Sequence, residues 1–447
     1  MYTGLRKYLR IIPAAALMML ACRTYGQECW TLDRCIIYAL ENNLQVKQME
    51  QDVAIAGNNL TESRLAYMPS LNASMGHNMS WGRSVNLNDL EIVENKLSQS
   101  SSLNLAASLP LFEGFRRQNT IRSNTKQLQI AQASIEALKD DITIAVARGY
   151  LQVLLAKEVE ATAERSCKAA KEQVQKSTAL VEAGLQPYSS LLEVKSQLAN
   201  ENVQLTTARN NSSNALLELA HLLGMAATPD GFMIDVPATL DNIIAPAYNV
   251  NIDSIIIKAA QVLPSVGKAL LAQQQSEILL KIQKGAALPT LSVSAGYGTY
   301  YSSSQDAAFF TQFNNNRNPS VGLSLSIPIF NNWRNSTAVK NARANVEKSS
   351  IGVDMAVQEL EKQIWLAYND VLGSYEKLNA AQANKDAAAE TFSHTSEKFN
   401  LGMLDGTDYT TAKNNLLKAE SEYLQCKYQY IFQQKIMDYY KLIPLTL

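Results

Sequence analysis

Two stretches of the chain alternate strictly between apolar and small or polar residues. In the first, Leu103, Leu105, Ala107 and Leu109 alternate with Ser102, Asn104, Ala106 and Ser108. In the second, Val321, Leu323, Leu325 and Ile327 alternate with Ser320, Gly322, Ser324 and Ser326. A period of two predicts strands with one apolar face. Each run then meets a proline and an aromatic, Pro110 and Phe112 or Pro328 and Phe330, and opens an Ala-, Gln- and Lys-rich segment with helical spacing. A strand therefore hands over to a helix at each of these junctions. The pairs Pro110 and Pro328, Tyr150 and Tyr368, and Gly184 and Gly402 all keep an offset of 218, which marks an internal duplication.

The same periodicities order the remaining elements. Thr31 to Tyr67 reads as a helix capped by Thr31 or Asp33 and stopped by Pro69. From Ser70 the period changes to two, with Leu71, Ala73, Met75, Met79 and Trp81 on one side and His77 as the exception among them. A loop over 82–100 returns the chain into the strand ending at Pro110, so the predicted strands are ~10–12 residues long, the length of outer-membrane barrel strands. From Phe115 to about Glu182 there is no proline and one internal glycine, Gly149. A helix of that length spans roughly 100 Å. Leu128, Ala131, Ile135, Leu138, Ile142 and Ala145 form one seam on it, and Ile144, Leu151 and Leu154 part of another, so it requires neighbours on two sides. Gly184, Leu185, Gln186 and Pro187 turn the chain, and a return helix runs from Ser189 to about Leu223.

The second half repeats this plan. A helix covers Ser254 to Gly285, and Leu291, Val293, Ala295, Tyr297, Thr299 and Tyr301 alternate in a strand before a loop over 302–318. A long helix covers Arg334 to Phe399, and after the turn a last helix covers Thr407 to Lys441, with two seams, Leu416, Tyr423, Tyr430, Met437 and Leu417, Leu424, Ile431. The expected organisation is residues 1–26 as a signal peptide, 27–225 as the first repeat (helix, β-hairpin, long helix, turn, helix), 226–250 as a linker and 251–447 as the second repeat.

Composition narrows the class. Forty basic and 41 acidic residues give a net charge of -1, which proposes no nucleic-acid partner. A basic start at Arg6, Lys7 and Arg10, an apolar run from Ile11 to Ala21 and small residues after it follow the plan of an export signal. Cleavage after Gly26 is one reading; lipidation of Cys22, within Leu20, Ala21, Cys22, is the other. No later stretch offers ~20 uninterrupted apolar residues, so membrane insertion would have to be through strands. Cys29 and Cys35 are near enough in sequence for a disulfide across the start of the first helix, with free thiols as the alternative. His77, His221 and His394 show no metal-ligand spacing, and there is no phosphate loop or nucleophile motif. No enzyme activity, metal or cofactor is expected.

The duplicated strand, proline, apolar, Phe, helix junctions and the duplicated glycine-containing helix turns resemble the TolC family of outer-membrane efflux proteins over nearly all of the mature chain. The resemblance implies a mainly α fold with transmembrane β: four strands per protomer, twelve in a β-barrel completed by trimerisation, and a long α-helical barrel in the periplasm. It implies an exit duct in the cell outer membrane serving a tripartite efflux or type I secretion system, with a periplasmic adaptor and an inner-membrane pump as partners. It also implies tip turns that meet the adaptor, here Gly184, Leu185, Gly402 and Met403, and a periplasmic aperture narrowed by acids, with Asp408 at the principal aspartate. The family's second acid falls on Thr411 and its occasional basic residue on Leu404, so Asp405 is the nearest extra charge; the first-half counterpart of Asp408 is Ser190. Helix capping is the other role open to Asp405 and Asp408. A non-pore periplasmic coiled-coil adaptor is the alternative function.

Overall fold

The structure, a computed structural model, describes residues 29–85, 92–225, 232–235, 245–246, 251–401, 403–404 and 406–444. The predicted signal region with Cys22, most of the predicted linker, and Gly402 and Asp405 lie outside the described residues. The chain divides into two compact units, one made of Met1–Lys47, Leu138–Ala259 and Glu361–Leu447, the other of Gln48–Ala137 and Ala260–Leu360.

The first half runs β1 (Cys29–Trp30), α1 (Leu32–Asn42), α2 (Leu44–Leu65), β2 (Ser70–Val85), β3 (Ile92–Glu113), α3 (Arg116–Glu182) and α4 (Tyr188–Leu222). After β4 (Met233–Ile234) the second runs α5 (Ile252–Val262), α6 (Pro264–Gly285), β5 (Thr290–Ser302), α7 (Phe309–Asn315), β6 (Asn318–Ser326), α8 (Arg334–Asn400) and α9 (Gly406–Tyr440). Corresponding helices match in length: 11 residues for α1 and α5, 22 for α2 and α6, 67 for α3 and α8, and 35 for α4 and α9.

Two expected helices are each broken in two. Thr31 caps α1 as predicted, its hydroxyl accepting from the Arg34 amide. Asn43 then leaves the helical region at φ -61, ψ 130. Its side chain explains the break: Oδ1 accepts from the Gln45 amide at 2.8 Å, starting α2, while Nδ2 donates to the Leu222 carbonyl at 3.0 Å. In the second half Leu263 is extended because Pro264 follows it and opens α6.

In the first unit, β1 and β4 pair in parallel, Cys29 with Met233 and Trp30 with Ile234. The buried Tyr150 hydroxyl donates to the Asp235 carbonyl at 2.6 Å and lies 3.1 Å from that of Trp30. The Cys29–Cys35 disulfide is not formed. Cys29 is an exposed thiol on the short strand, and Cys35 is fully buried on α1, where burial pushes its thiol up to about 12. Both predicted seams of α9 are used: Tyr430 and Met437 pack with Ala367, Val371 and Leu378 of α8, and Leu424 and Ile431 are buried as well.

The second unit holds an antiparallel sheet in the order β2-β3-β5-β6. Its register aligns Met75 with Leu103, Leu103 with Thr299, and Val293 with Leu323, so the apolar positions of all four strands share one face and the serines, asparagines and glycines the other. His77, the exception on the apolar side, bonds Ser101 across the strand pair at 2.8 Å. The hairpin is longer than predicted, with 16 residues in β2 and 22 in β3. Backbone pairing carries it past the point where alternation stops signalling a strand, and most of the expected loop over 82–100 is therefore strand.

The junctions differ in detail. Pro110 sits at a bulge between Pro110 and Phe112 and β3 continues to Glu113, whereas β6 ends at Ser326, before Pro328 and Phe330. Both then turn into a long helix through two consecutive residues in the left-handed region, Gly114 and Phe115 at φ 61 in one and Asn332 and Trp333 at φ 53 and 61 in the other. Phe112 packs edge-on against Phe115, with ring centroids 5.3 Å apart. Gly114 and Gly285 approach so closely that a Cβ on either would collide with the other's carbonyl oxygen.

Candidate functional site

The candidate site is the pair of helix turns and the helix starts behind them, all in the first unit. At the end of α3, Gly184 adopts φ 73, its amide donates to the Val181 carbonyl at 3.0 Å, and the Leu185 amide reaches back to Leu180 at 2.9 Å. This is a Schellman stop, and it requires the left-handed residue that glycine supplies without penalty. After α8 the Met403 amide makes the equivalent bond to the Lys398 carbonyl, at 2.9 Å. Leu185 and Met403, at equivalent places in the two turns, are 72% and 69% exposed. Each turn therefore presents a large apolar side chain to its surroundings, and the second adds Leu401, 74% exposed.

Asp408 is exposed in the first turn of α9, where the helix N-terminus favours an acid. Thr411 is exposed one turn further on. Ser190 is half-buried in the first turn of α4, its amide donating to the Pro187 carbonyl at 3.2 Å.

Behind these residues lies a buried polar cluster that sequence reasoning missed. Gln197 and Glu201 are buried on α4, with the exposed Glu193 one turn before them, and Gly406, Tyr409 and Lys413 occupy the first two turns of α9. The Lys413 ammonium lies 3.2 Å from Glu201 Oε1, with side chains only 8% and 2% exposed. Gln197 Nε2 donates to the same oxygen at 2.7 Å. Gly406 abuts the Glu193 carboxylate, which a Cβ there would push aside. Tyr409 stacks on Phe399 at 4.8 Å and meets Phe392 at 5.5 Å; burial first, and the Glu201 charge second, raise its phenol above the usual range. A cleft of ≈ 660 Å³ continues from this cluster between α3, α4 and α9, lined by Thr162, Ser166, Asn200, Glu201 and Ser421 among others. The sequence signal was the run of residues at three- and four-residue intervals on the two helices, which looks like a solvated face until the second helix covers it.

Among the described residues no group of His, Cys, Asp and Glu is placed to hold a metal ion, and no single helix is long and apolar enough to cross a membrane.

Comparison with known proteins agrees with this architecture. The chain is 24% identical over 401 residues to the alkaline protease secretion protein AprF of Pseudomonas aeruginosa, covering 88% of this chain and 80% of AprF. It is 23% identical over 409 residues to the outer membrane protein TolC of Escherichia coli, covering 88% and 78%. The crystal structure of the Campylobacter jejuni CmeC outer membrane channel superposes with a TM-score of 0.74 at 17% identity, covering 92% of this chain and 85% of CmeC, which establishes the shared fold. The family model described as "Outer membrane efflux protein" matches residues 36–225 and 255–435, most of both halves, and the chain therefore belongs to that family.

Proposed function

We propose that the protein is the outer-membrane exit duct of a tripartite efflux or type I secretion system, conducting substrates passively from an inner-membrane pump and a periplasmic adaptor to the exterior. The observation that carries this reading is the four-stranded sheet with one apolar and one polar face and with β2 and β6 at its edges. Lipid does not tolerate open strand edges, and four strands cannot close on themselves. Three copies supply twelve strands, with the apolar face to lipid and the serine-, asparagine- and glycine-rich face to the lumen. Equal helix lengths in the two halves support an internal duplication. The alternative, a coiled-coil adaptor that forms no pore, gives the amphipathic sheet no role, and family membership weighs against it.

In this reading the exposed Leu185 and Met403 of the turns meet the adaptor, and three copies of Asp408 ring the periplasmic aperture, where they attract cations. Light scattering of the detergent-extracted protein, corrected for bound detergent, is expected to give three chains; a stable soluble monomer would overturn the duct. In planar bilayers Asp408→Asn is expected to weaken cation preference and block by multivalent cations. Unchanged preference and block would remove Asp408 from the aperture while leaving the duct in place.

A further inference from the structure

Helix α7 interrupts the β5–β6 loop, which alternation gave no reason to expect. β6 begins at Asn318, opposite Gly298, so β5 runs on from Thr299 to Ser302 without its partner strand. Side chains of α7 and its C-terminal cap replace that partner. Gln312 Oε1 accepts from the Ser302 amide at 2.9 Å, and Asn316 Nδ2 donates to the Tyr300 carbonyl at 2.8 Å. Gln312 is buried, and its Nε2 donates to the carbonyls of Gln305 and Ala307, which fixes the loop. Two backbone groups on the upper edge of β5 are thus satisfied by side-chain amides, as an edge at the boundary of lipid requires.

The helix also lies over one particular face. Thr299 and Tyr301 belong to the apolar side of the sheet, in register with Leu103 and Ser101. The Thr299 hydroxyl donates to the Phe313 carbonyl, and the Tyr301 ring packs on Phe309 at 4.9 Å. Phe309 in turn stacks on Phe313 at 4.9 Å. The opposite side of α7 carries Phe310, 84% exposed, beside the exposed polar Thr311, Asn314 and Asn315. Ten residues separate Leu291 from Tyr301; at ~3.3 Å per residue and a tilt of ~40° they rise roughly 25 Å, the height of the apolar band of an outer-membrane barrel. The aromatic cluster therefore stands at the upper rim of that band.

We propose that α7 is an interfacial anchor: a short helix strapped to the outer face of the barrel, with Phe310 inserted among the acyl chains of the outer leaflet and Thr311, Asn314 and Asn315 at the level of the headgroups. The proposal rests on reading the apolar face of the sheet as lipid-facing, and its occupant is membrane lipid. The chemistry is that of an aromatic belt, with one apolar side chain projecting from a polar surface that a gel of side-chain amides holds rigid.

Two variants of the full chain test it, each reconstituted in phosphatidylcholine vesicles with or without bromine on the acyl chains. Phe310→Trp places a fluorophore on α7, and Leu323→Trp places one in the middle of the apolar face. Emission is read as the difference from the parent protein, which has four tryptophans of its own. The expected result is that brominated lipid removes most of the added emission in both variants. Loss at Leu323→Trp with none at Phe310→Trp would overturn the anchor and leave the barrel intact. No loss in either would overturn the anchor together with the lipid-facing reading of the sheet.

Discussion

Replacing Lys413 by methionine removes one member of a buried ion pair and keeps most of its volume. The partner, Glu201, is 2% exposed and retains only the 2.7 Å donation from Gln197 among its described contacts at that oxygen. Removing one partner of a buried pair costs about 3–5 kcal/mol, because the remaining charge stays out of water unpaired. Gln197 already shares Glu201 Oε1, which places the expected cost toward the lower end. At ~1.4 kcal/mol per decade, about 3 kcal/mol is a roughly 100-fold increase in local opening. Native-state hydrogen exchange read by mass spectrometry locates the effect, since amides in the first halves of α4 and α9 open through this contact while those of the sheet do not. The double variant Lys413→Met, Glu201→Met replaces the pair by apolar groups of similar size and is expected to recover most of the loss. Unchanged exchange in Lys413→Met would refute the reasoning. So would a double variant whose cost equals the sum of the two single costs, because the coupling between the residues would then be absent.

Gly114→Ala is expected to destabilise the second unit by about 2–5 kcal/mol, combining the left-handed backbone with overpacking against Gly285, and to lower the thermal midpoint of the detergent-solubilised protein. A midpoint equal to that of the parent would show that the two backbones can separate at little cost. Cys35, whose thiol is raised from 9.0 to about 12, is expected to resist maleimide at pH 8 while the exposed Cys29 reacts. Between those two pH values the folded state keeps a proton that the unfolded state has released, so stability falls with rising pH, by up to ~1.4 kcal/mol per unit for this group. Cys35→Ala is expected to flatten the loss of stability over that alkaline range, and an unaltered slope would contradict it.

The long helices were legible because an uninterrupted apolar stripe has no other use, and the predicted bounds of α3 and α8 agree with the structure within a residue or two. The break at Asn43 was not legible, because it depends on a carbonyl 179 positions away. The break at Leu263 is signalled by Pro264, but the apolar period continues through it and masks the signal. The unexpected reach of β3 and the presence of α7 share one cause: backbone pairing and side-chain amides can organise polar sequence that carries no periodicity. At the site, Asp408 came from family resemblance, whereas Glu201 and Lys413 carried no mark of burial. A charged residue on a long helix reads as solvated until another helix is placed against it.

The cluster also bears on the two halves of the chain. At an offset of 218, the counterpart of Glu201 is Ala419, that of Lys413 is Lys195, that of Tyr409 is Leu191, and that of Gly406 is Tyr188. If α4 and α9 descend from identical repeats, the same side chains once occupied equivalent places on both, and an acid on one helix facing a base on the other required the two to diverge. The present counterparts form no such pair, for Lys195 is exposed and Ala419 is a buried small residue. The buried ion pair thus has no counterpart at that offset, and it lies about two helical turns behind the start of α9, on the same helix that carries Asp408. Any movement that draws α9 away from α4 at that level has to separate two charges whose side chains are only 8% and 2% exposed. The contact that stabilises the helix start thus sets a threshold for moving it, and Lys413→Met lowers that threshold without touching Asp408.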